Sequence, residues 1–436
     1  MLRLYTSLMG ASSFVLKSLL KKRLKQGKED PNRLDERMGI AGMSRPDGFL
    51  IWLHAASVGE AQSAMILINA LAQDKDTQIL VTTGTVTSAE FLKNRLPSNA
   101  FHQYYPLDHP KWVGDFLDHW HPDYIIWMES EIWPNMLQAV QSRKIGAALI
   151  NARLSEKSLR RWKMAGKSVT EILAPFQVCL TQTEDDAKSF QKLGLLHARA
   201  SGNLKYSAAP LPFDRHSETQ LLDALEERPC WVFASTHDSE EEMACRIHMG
   251  LKAKVPNLLT IIVPRHPERR ENILRACAKY NVNTKQRGDN RALPTIKDDI
   301  YLADTLGELG LFYSISPIAC IGRSFSNDGG GGHNPIEAAQ YHCAVLHGPL
   351  VQNLKDIYDE FDKAGACLKI NDESDLQKRL EKLFLDDTGR EALQSKAHHF
   401  VSQKADVLPF IMKTLENDMA SARVSKAPKS TIKQSA

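Results

Sequence analysis

The stretch Phe325-Ser-Asn-Asp-Gly-Gly-Gly-Gly-His-Asn-Pro-Ile-Glu337 decides how the rest of the chain is read. It follows an apolar run, 317–322, with the character of a buried strand, and leads into Ala338-Ala339-Gln340, which continue as a helix. Strand, glycine turn and helix in succession are the repeating unit of a parallel α/β sheet. Four glycines leave no side chains between the backbone and a ligand. A helix opening just beyond them offers free N–H groups and the positive end of its dipole to a phosphate. Pro335 suits its first turn, and Glu337 can accept hydrogen bonds from sugar hydroxyls. The same residues also describe an ordinary surface loop ahead of an Asn-Pro helix start, because a glycine run alone is a weak signal.

The alternation extends in both directions. Apolar runs at 49–54, 78–83, 101–105, 124–128, 147–150, 178–181 and 198–201 read as strands, with helical patterns between them. Periodicity weakens at 208–228, where Pro210 and Pro212 stand in a polar segment, and that is the expected linker. Runs at 231–234, 259–263, 300–303, 318–321 and 344–346 then read as strands of a second sheet. The expected organisation is an amino-terminal segment 1–48, one Rossmann-like domain over 49–207, a linker, a second such domain over 229–420, and a disordered tail 421–436. Nucleotide-sugar glycosyltransferases share this architecture with epimerases and other two-domain enzymes, so fold alone names no reaction.

With 436 residues, 43% hydrophobic and 25% charged, the chain has the composition of a globular protein of two or three domains. A net charge of +3 argues against wholesale nucleic-acid binding. The seven scattered cysteines form no CxxC pair and read as small core residues of a reducing compartment. Residues 2–20 are apolar but interrupted by Arg3 and Lys17, and Lys21-Lys22-Arg23 and Lys25 follow. That pattern fits a helix on an anionic membrane surface or a short signal anchor; an amphipathic helix covering the domain is the alternative.

The polar clusters stand at strand ends, where open α/β sheets bind ligands. Ser57-Val58-Gly59-Glu60 opens the first helix, and Glu60 is either a general base or a carboxylate favourably placed at a helix N-terminus. Glu129, after the strand 124–128, is better placed to face a ligand than Glu131. Arg153 suits a structural ion pair with a nearby glutamate, and Lys205 offers an ammonium to a phosphate or carboxylate. In the second half Arg265 suits bidentate phosphate contact, while Gly307 and Glu308 form a turn that can hold ribose hydroxyls. His54, His237, His266 and His333 match no metal-ligand spacing, so no metal is assigned.

In this order the motifs SVGE (57–60), MESEIWPN (128–135), NARLS (151–155), GNLK (202–205), STH (235–237), PRHPER (264–269), DTLGEL (304–309) and GGHNPIE (331–337) resemble the 3-deoxy-D-manno-octulosonic acid (Kdo) transferase family of lipopolysaccharide synthesis. The resemblance implies an α/β fold of two Rossmann-like, doubly wound domains facing a central cleft, the glycosyltransferase-B type. It implies an inverting, metal-independent transfer of Kdo from CMP-Kdo to the 6′-hydroxyl of the tetraacyl lipid A precursor. Glu60 would be the base, and Glu129 and Lys205 would stabilise the transition state. Pro264, Arg265, Leu306, Gly307, Glu308, Asn334, Pro335, Ile336 and Glu337 would hold CMP. CMP-Kdo is then a donor substrate, with no further cofactor. The partners are the lipid A precursor and the anionic cytoplasmic face of the inner membrane, and nucleic acid is not among them. Two positions depart from the family pattern: Arg323 stands where a second glycine is usual before Ser324, and the glycine run before His333 is long.

Overall fold

The structure, a computed structural model, describes residues 2–129, 131–326, 328, 329 and 331–426. They form two compact units, one of Met1–Ala208 with Asp406–Ala436 and the other of Ala209–Ala405.

The first unit is built on a parallel sheet of β1 (Phe49–His54), β2 (Thr77–Thr83), β3 (Ala100–Tyr104), β4 (Tyr124–Met128), β5 (Gly146–Ala152), β6 (Phe176–Thr181) and β7 (Arg199–Ala200), in the order β3-β2-β1-β4-β5-β6-β7. Strand direction alternates side chains between the two faces. Leu50, Trp52, Ile125 and Trp127 therefore enter one core with Phe116 and Leu137, while Ile51, Leu53, Ile126 and Met128 enter the other with Ala64 and Leu67. Burial on both faces is why these strands read as continuous apolar runs. The order reverses between β1 and β4, which opens a crevice at their carboxyl ends.

The last helix, Val407–Lys426, belongs to this unit, whereas the sequence reading carried the second domain through to 420. Val407, Ile411, Leu415 and Met419 recur every four residues and lie in the second of these cores. That spacing makes one apolar stripe, and burying each such side chain contributes roughly 1.5–3 kcal/mol. A stripe of this kind shows in the sequence, but the sheet it covers does not. Of the expected tail, 421–426 complete this helix, and 427–436 lie outside the described residues.

At the other end of the chain, the helices Leu2–Ala11 and Ser13–Lys25 attach to the same unit. Leu2 enters the core, and the Tyr5 hydroxyl donates to Asp108 Oδ2 at 2.9 Å. Leu4, Leu8, Phe14, Val15 and Leu19 are left exposed. No helix among the described residues is long and apolar enough to cross a membrane.

The second unit repeats the design with β8 (Cys230–Thr236), β9 (Leu259–Pro264), β10 (Thr284–Gln286), β11 (Ile300–Leu302), β12 (Ile318–Ile321), β13 (Ala344–His347) and β14 (Leu368–Lys369). The order is β10-β11-β9-β8-β12-β13-β14, so the reversal falls between β8 and β12. The expected linker contains a helix, Arg215–Leu225, capped by Asp214, which accepts from the amides of His216 and Ser217. Strands β10 and β14, of three and two residues, were not expected from sequence because each is too short to show a period.

Candidate active site

In the first unit, β1 leads through Ala55 and Ala56 to Ser57, the N-cap of the helix Val58–Leu71. Ser57 Oγ accepts from the Glu60 amide at 3.3 Å and donates to Glu60 Oε1 at 2.9 Å, and the Ala56 amide donates to Oε2 at 2.8 Å. This is a capping box, in which the acid three residues in returns to the chain ahead of the helix. The two sequence readings of Glu60 are thus compatible, since capping holds the carboxylate still. Glu60 is only 9% exposed. Burial, reinforced by the Glu129 charge, pushes its carboxyl up to about 7 against the pull of the Ala56 and Ser57 donors. A carboxyl poised there can exchange a proton at neutral pH.

Glu129 follows β4, on the other side of the reversal from Glu60. Its backbone is left-handed, with φ 55°, and its amide donates to Ile150 O at 3.0 Å. A non-glycine residue held so costs of order 1–3 kcal/mol, and such strain clusters at functional sites. Arg153 Nε donates to Glu129 Oε2 at 2.9 Å, the ion pair expected from the sequence. Lys205 is brought to the same carboxylate. Burial pulls its ammonium below the usual lysine range, and the Glu129 charge opposes that pull.

The loop that carries Lys205 is fixed from below. Buried Asn151, itself left-handed at φ 54°, accepts from the Leu204 amide at 2.9 Å, and Asn203 Oδ1 accepts from the Lys205 amide at 3.1 Å. Gln182 joins the two, donating to Asn151 O and accepting from Asn203 Nδ2, each at 3.0 Å. Glu131 stands apart from this pairing, accepting from the Trp133 indole at 3.1 Å. A concavity of about 860 Å³ opens beside Tyr124, Gly146 and Gln177 at the amino ends of the strands. Glu60 and Glu129 follow carboxyl ends, so that concavity is not their site.

In the second unit a concavity of about 490 Å³ is lined by Arg265, Arg269, Arg323, His237, His266 and His333, together with two aspartates. These residues follow β8, β9 and β12, again at the reversal. His237 Nδ1 lies 2.7 Å from Asp328 Oδ2, and its Nε2 lies 3.1 Å from His333 Nε2. Burial, with the His237, Arg265 and Arg323 charges, pushes the His333 imidazole down to about 3, so it is neutral near pH 7. Arg265, whose side chain was expected to meet phosphate, is exposed on this rim. Pro264 is the buried last residue of β9.

Beneath the concavity lies a carboxylate that the sequence did not single out. Glu240 is fully buried and accepts from the amides of His237, Arg323, Ser324 and Phe325 at 2.8–3.1 Å. Three glutamates at a helix start, Glu240-Glu241-Glu242, are what a favourable dipole placement alone would give. Only tertiary structure brings the loop after β12 onto it. Arg323 is left-handed at φ 57°, a conformation that suits glycine.

Of the other expected donor residues, Glu308 is held by the buried Arg287, whose Nη2 donates to Oε1 at 2.8 Å and Nε to Oε2 at 3.2 Å. Burial raises the carboxyl, but Arg287 and the Thr305 hydroxyl outweigh it and keep Glu308 below the usual range. Gly307, at φ 82°, makes the turn, and Leu306 is 82% exposed. Arg287 lies in a polar stretch without any sequence signal. Asn334 caps the short helix Pro335–Gln340, accepting from the Ile336 amide and donating to Glu337 Oε1, each at 3.2 Å. That amide is therefore already partnered, and Pro335 and Ile336 are buried. Burial pushes Glu337 up to about 7, against Asn334 and the Arg265 charge. The glycine run divides by role. A side chain at Gly332 would meet the Tyr358 ring, while one at Gly329 would meet open space. Asn327 and Gly330 lie outside the described residues.

Comparison with known proteins bears on both units. Residues 32–208 match a family model described as 3-deoxy-D-manno-octulosonic-acid transferase (kdotransferase). The 3-deoxy-D-manno-octulosonic acid transferase of Rickettsia bellii is 35% identical over 389 residues, covering 88% of this chain and 92% of that protein. The enzyme of the same name from Haemophilus influenzae is 32% identical over 397 residues, with 88% and 91% covered. Among solved structures, UDP-GlcNAc 2-epimerase from Neisseria meningitidis aligns with a TM-score of 0.55 at 14% identity, covering 85% of this chain and 100% of that one. That likeness concerns fold alone, and it agrees with two Rossmann-like domains of the glycosyltransferase-B type.

Proposed function

This chain belongs to the 3-deoxy-D-manno-octulosonic acid transferase family, and from that premise we propose that it transfers Kdo from CMP-Kdo to the 6′-hydroxyl of a tetraacyl lipid A precursor, with inversion and with Glu60 as general base. The observation that carries the proposal is the buried Glu60 carboxyl, raised to about 7 and fixed by Ser57 and Ala56. A sugar hydroxyl is a poor nucleophile and needs a base within hydrogen-bond reach. As the new glycosidic bond forms, the hydroxyl proton passes to Glu60 and the bond from the Kdo anomeric carbon to the CMP phosphate breaks. Lys205 and Glu129 act as one unit with Arg153, in which the carboxylate keeps a buried ammonium charged for the anionic groups of the reaction.

CMP is assigned to the second unit. Arg265, Arg269 and Arg323 supply charge to its phosphate, and Gly307 and Glu308 supply an open turn and an ionised acceptor to its ribose. Fixed cations offset the charge that develops on the leaving phosphate, the largest stabilising effect in many such reactions. On this reading the transfer step uses no divalent cation, so added magnesium leaves the rate unchanged.

The acceptor is a membrane lipid, and we assign its approach to the cytoplasmic face of the inner membrane. Exposed Leu4, Leu8, Phe14, Val15 and Leu19 support this, as do Lys21, Lys22 and Lys25 on the same pair of helices. An apolar face flanked by cations suits an anionic bilayer surface.

The test is to incubate the purified protein in detergent with CMP-Kdo and tetraacyl lipid A precursor, and to analyse the lipid by mass spectrometry. Release of CMP together with a Kdo-bearing lipid is expected. No transfer to this acceptor, with transfer to another glycolipid, would move the assignment to that acceptor.

A further inference from the structure

His347, Asp362 and Cys367 place one nitrogen, one oxygen and one sulfur atom within 4.8 Å of one another in the second unit. His347 is the last residue of β13 and is fully buried, Cys367 is buried just ahead of β14, and Asp362 sits near the end of the helix Lys355–Ala364 with its side chain 33% exposed. His347 Nδ1 lies 2.7 Å from the Gly348 carbonyl oxygen. A carbonyl only accepts, so Nδ1 donates to it, and Nε2 points the other way. Nε2 faces Asp362 Oδ1 at 3.2 Å, and the Cys367 thiol donates to the same oxygen at 3.1 Å. A proton on Nε2, or a metal ion shared by the three groups, satisfies that contact. In a tetrahedral zinc site, ligand atoms stand roughly 3.3–3.8 Å apart, given metal–ligand bonds of about 2.0–2.3 Å.

We propose that His347 Nε2, an Asp362 oxygen and Cys367 Sγ hold one zinc-type divalent transition-metal ion, with water as fourth ligand on the solvent side of Asp362. Sulfur, imidazole and carboxylate together select zinc or cobalt over magnesium or calcium. Cys367 binds as thiolate and releases its proton to solvent as the metal enters. The Gly348 carbonyl at the ring Nδ1 is the outer partner usual for a metal-binding histidine.

The site clamps the far side of the donor loop. Tyr358, on the same helix as Asp362, donates to His333 O at 2.6 Å. Gly348, next to His347, donates its amide to Ser324 Oγ at 2.8 Å. Metal binding therefore joins β13, β14 and this helix behind the glycine-rich segment. The proposal stands independently of the transfer chemistry.

The test uses the full-length protein, stripped with chelator, desalted under reducing conditions and titrated with cobalt(II). One equivalent is expected to give a thiolate-to-cobalt charge-transfer band and tetrahedral ligand-field bands, and equimolar zinc should abolish them. Cys367→Ser should lose the charge-transfer band. Asp362→Asn should weaken cobalt binding by more than the roughly 10–100-fold usual for outer partners. Zinc should raise the Tm of the parent and not that of Cys367→Ser. No band in the parent, as a bare imidazolium–carboxylate pair would give, overturns the proposal; so does a band unchanged in Cys367→Ser.

Discussion

Ser57 and Glu60 cap each other: the serine hydroxyl receives the Glu60 amide at 3.3 Å and gives its own proton to the Glu60 carboxylate at 2.9 Å. The bond to the carboxylate favours its ionised form, so Ser57→Ala should raise the Glu60 pKa further and move the acid limb of the transfer-rate profile to higher pH. It should also cost about 1 kcal/mol of stability, as lost N-caps do. A rate profile of the variant, set beside its thermal melt, separates the two effects.

Removing the charge at Glu129 should move the same limb the opposite way. The Glu129 charge helps to raise Glu60, so Glu129→Gln should let Glu60 ionise at lower pH. The maximal rate should fall nonetheless, because Lys205 loses the carboxylate that keeps it charged. Opposite shifts in Ser57→Ala and Glu129→Gln would be hard to obtain from general damage to the unit.

The Glu60 shift also has a consequence for stability. Its folded pKa of about 7 lies above the ordinary 4.5. The neutral acid's contribution is therefore complete below pH 4.5 and is lost as pH rises through 7. That window is worth on the order of 3 kcal/mol at most, at 1.36 kcal/mol per pH unit. Glu60→Gln should accordingly gain Tm relative to the parent between pH 5 and pH 8.

Much of this architecture was legible in the chain. The strands 49–54, 124–128 and 318–321 match the sequence reading to the residue, because burial on both faces makes unbroken apolar runs with polar ends. The candidate residues at strand ends were visible for the same reason. What was hidden depends on distant partners. Helix Val407–Lys426 carries an apolar stripe that would suit either sheet, and Glu240 looks like any first-turn glutamate until four amides converge on it. The phosphate-binding helix start expected after the glycine run was misleading in part, since Asn334 occupies the Ile336 amide.

Glu240→Ala should be the most damaging single change in the second unit. It would leave the amides of His237, Arg323, Ser324 and Phe325 without their buried acceptor. Each orphaned donor costs about 1–3 kcal/mol, so a loss of several kcal/mol and of CMP binding is expected. Denaturant unfolding and CMP calorimetry on the variant would check both.

Arg323→Gly should stabilise that unit by about 1 kcal/mol, since glycine adopts φ 57° without a Cβ penalty. The same change removes one of three arginines at the concavity, so CMP should bind more weakly. A higher Tm with a weaker CMP Kd is the expected pair of results.

The central claim is that one buried carboxyl takes the acceptor's proton, and single-turnover transfer by Glu60→Gln tests it most directly. CMP-Kdo would be pre-bound and lipid A precursor added in excess, with CMP affinity measured on the same preparation. Unchanged CMP binding with transfer slowed by at least about 10²-fold, the scale of general-base loss, is the predicted result. Transfer at the parent rate would contradict the account.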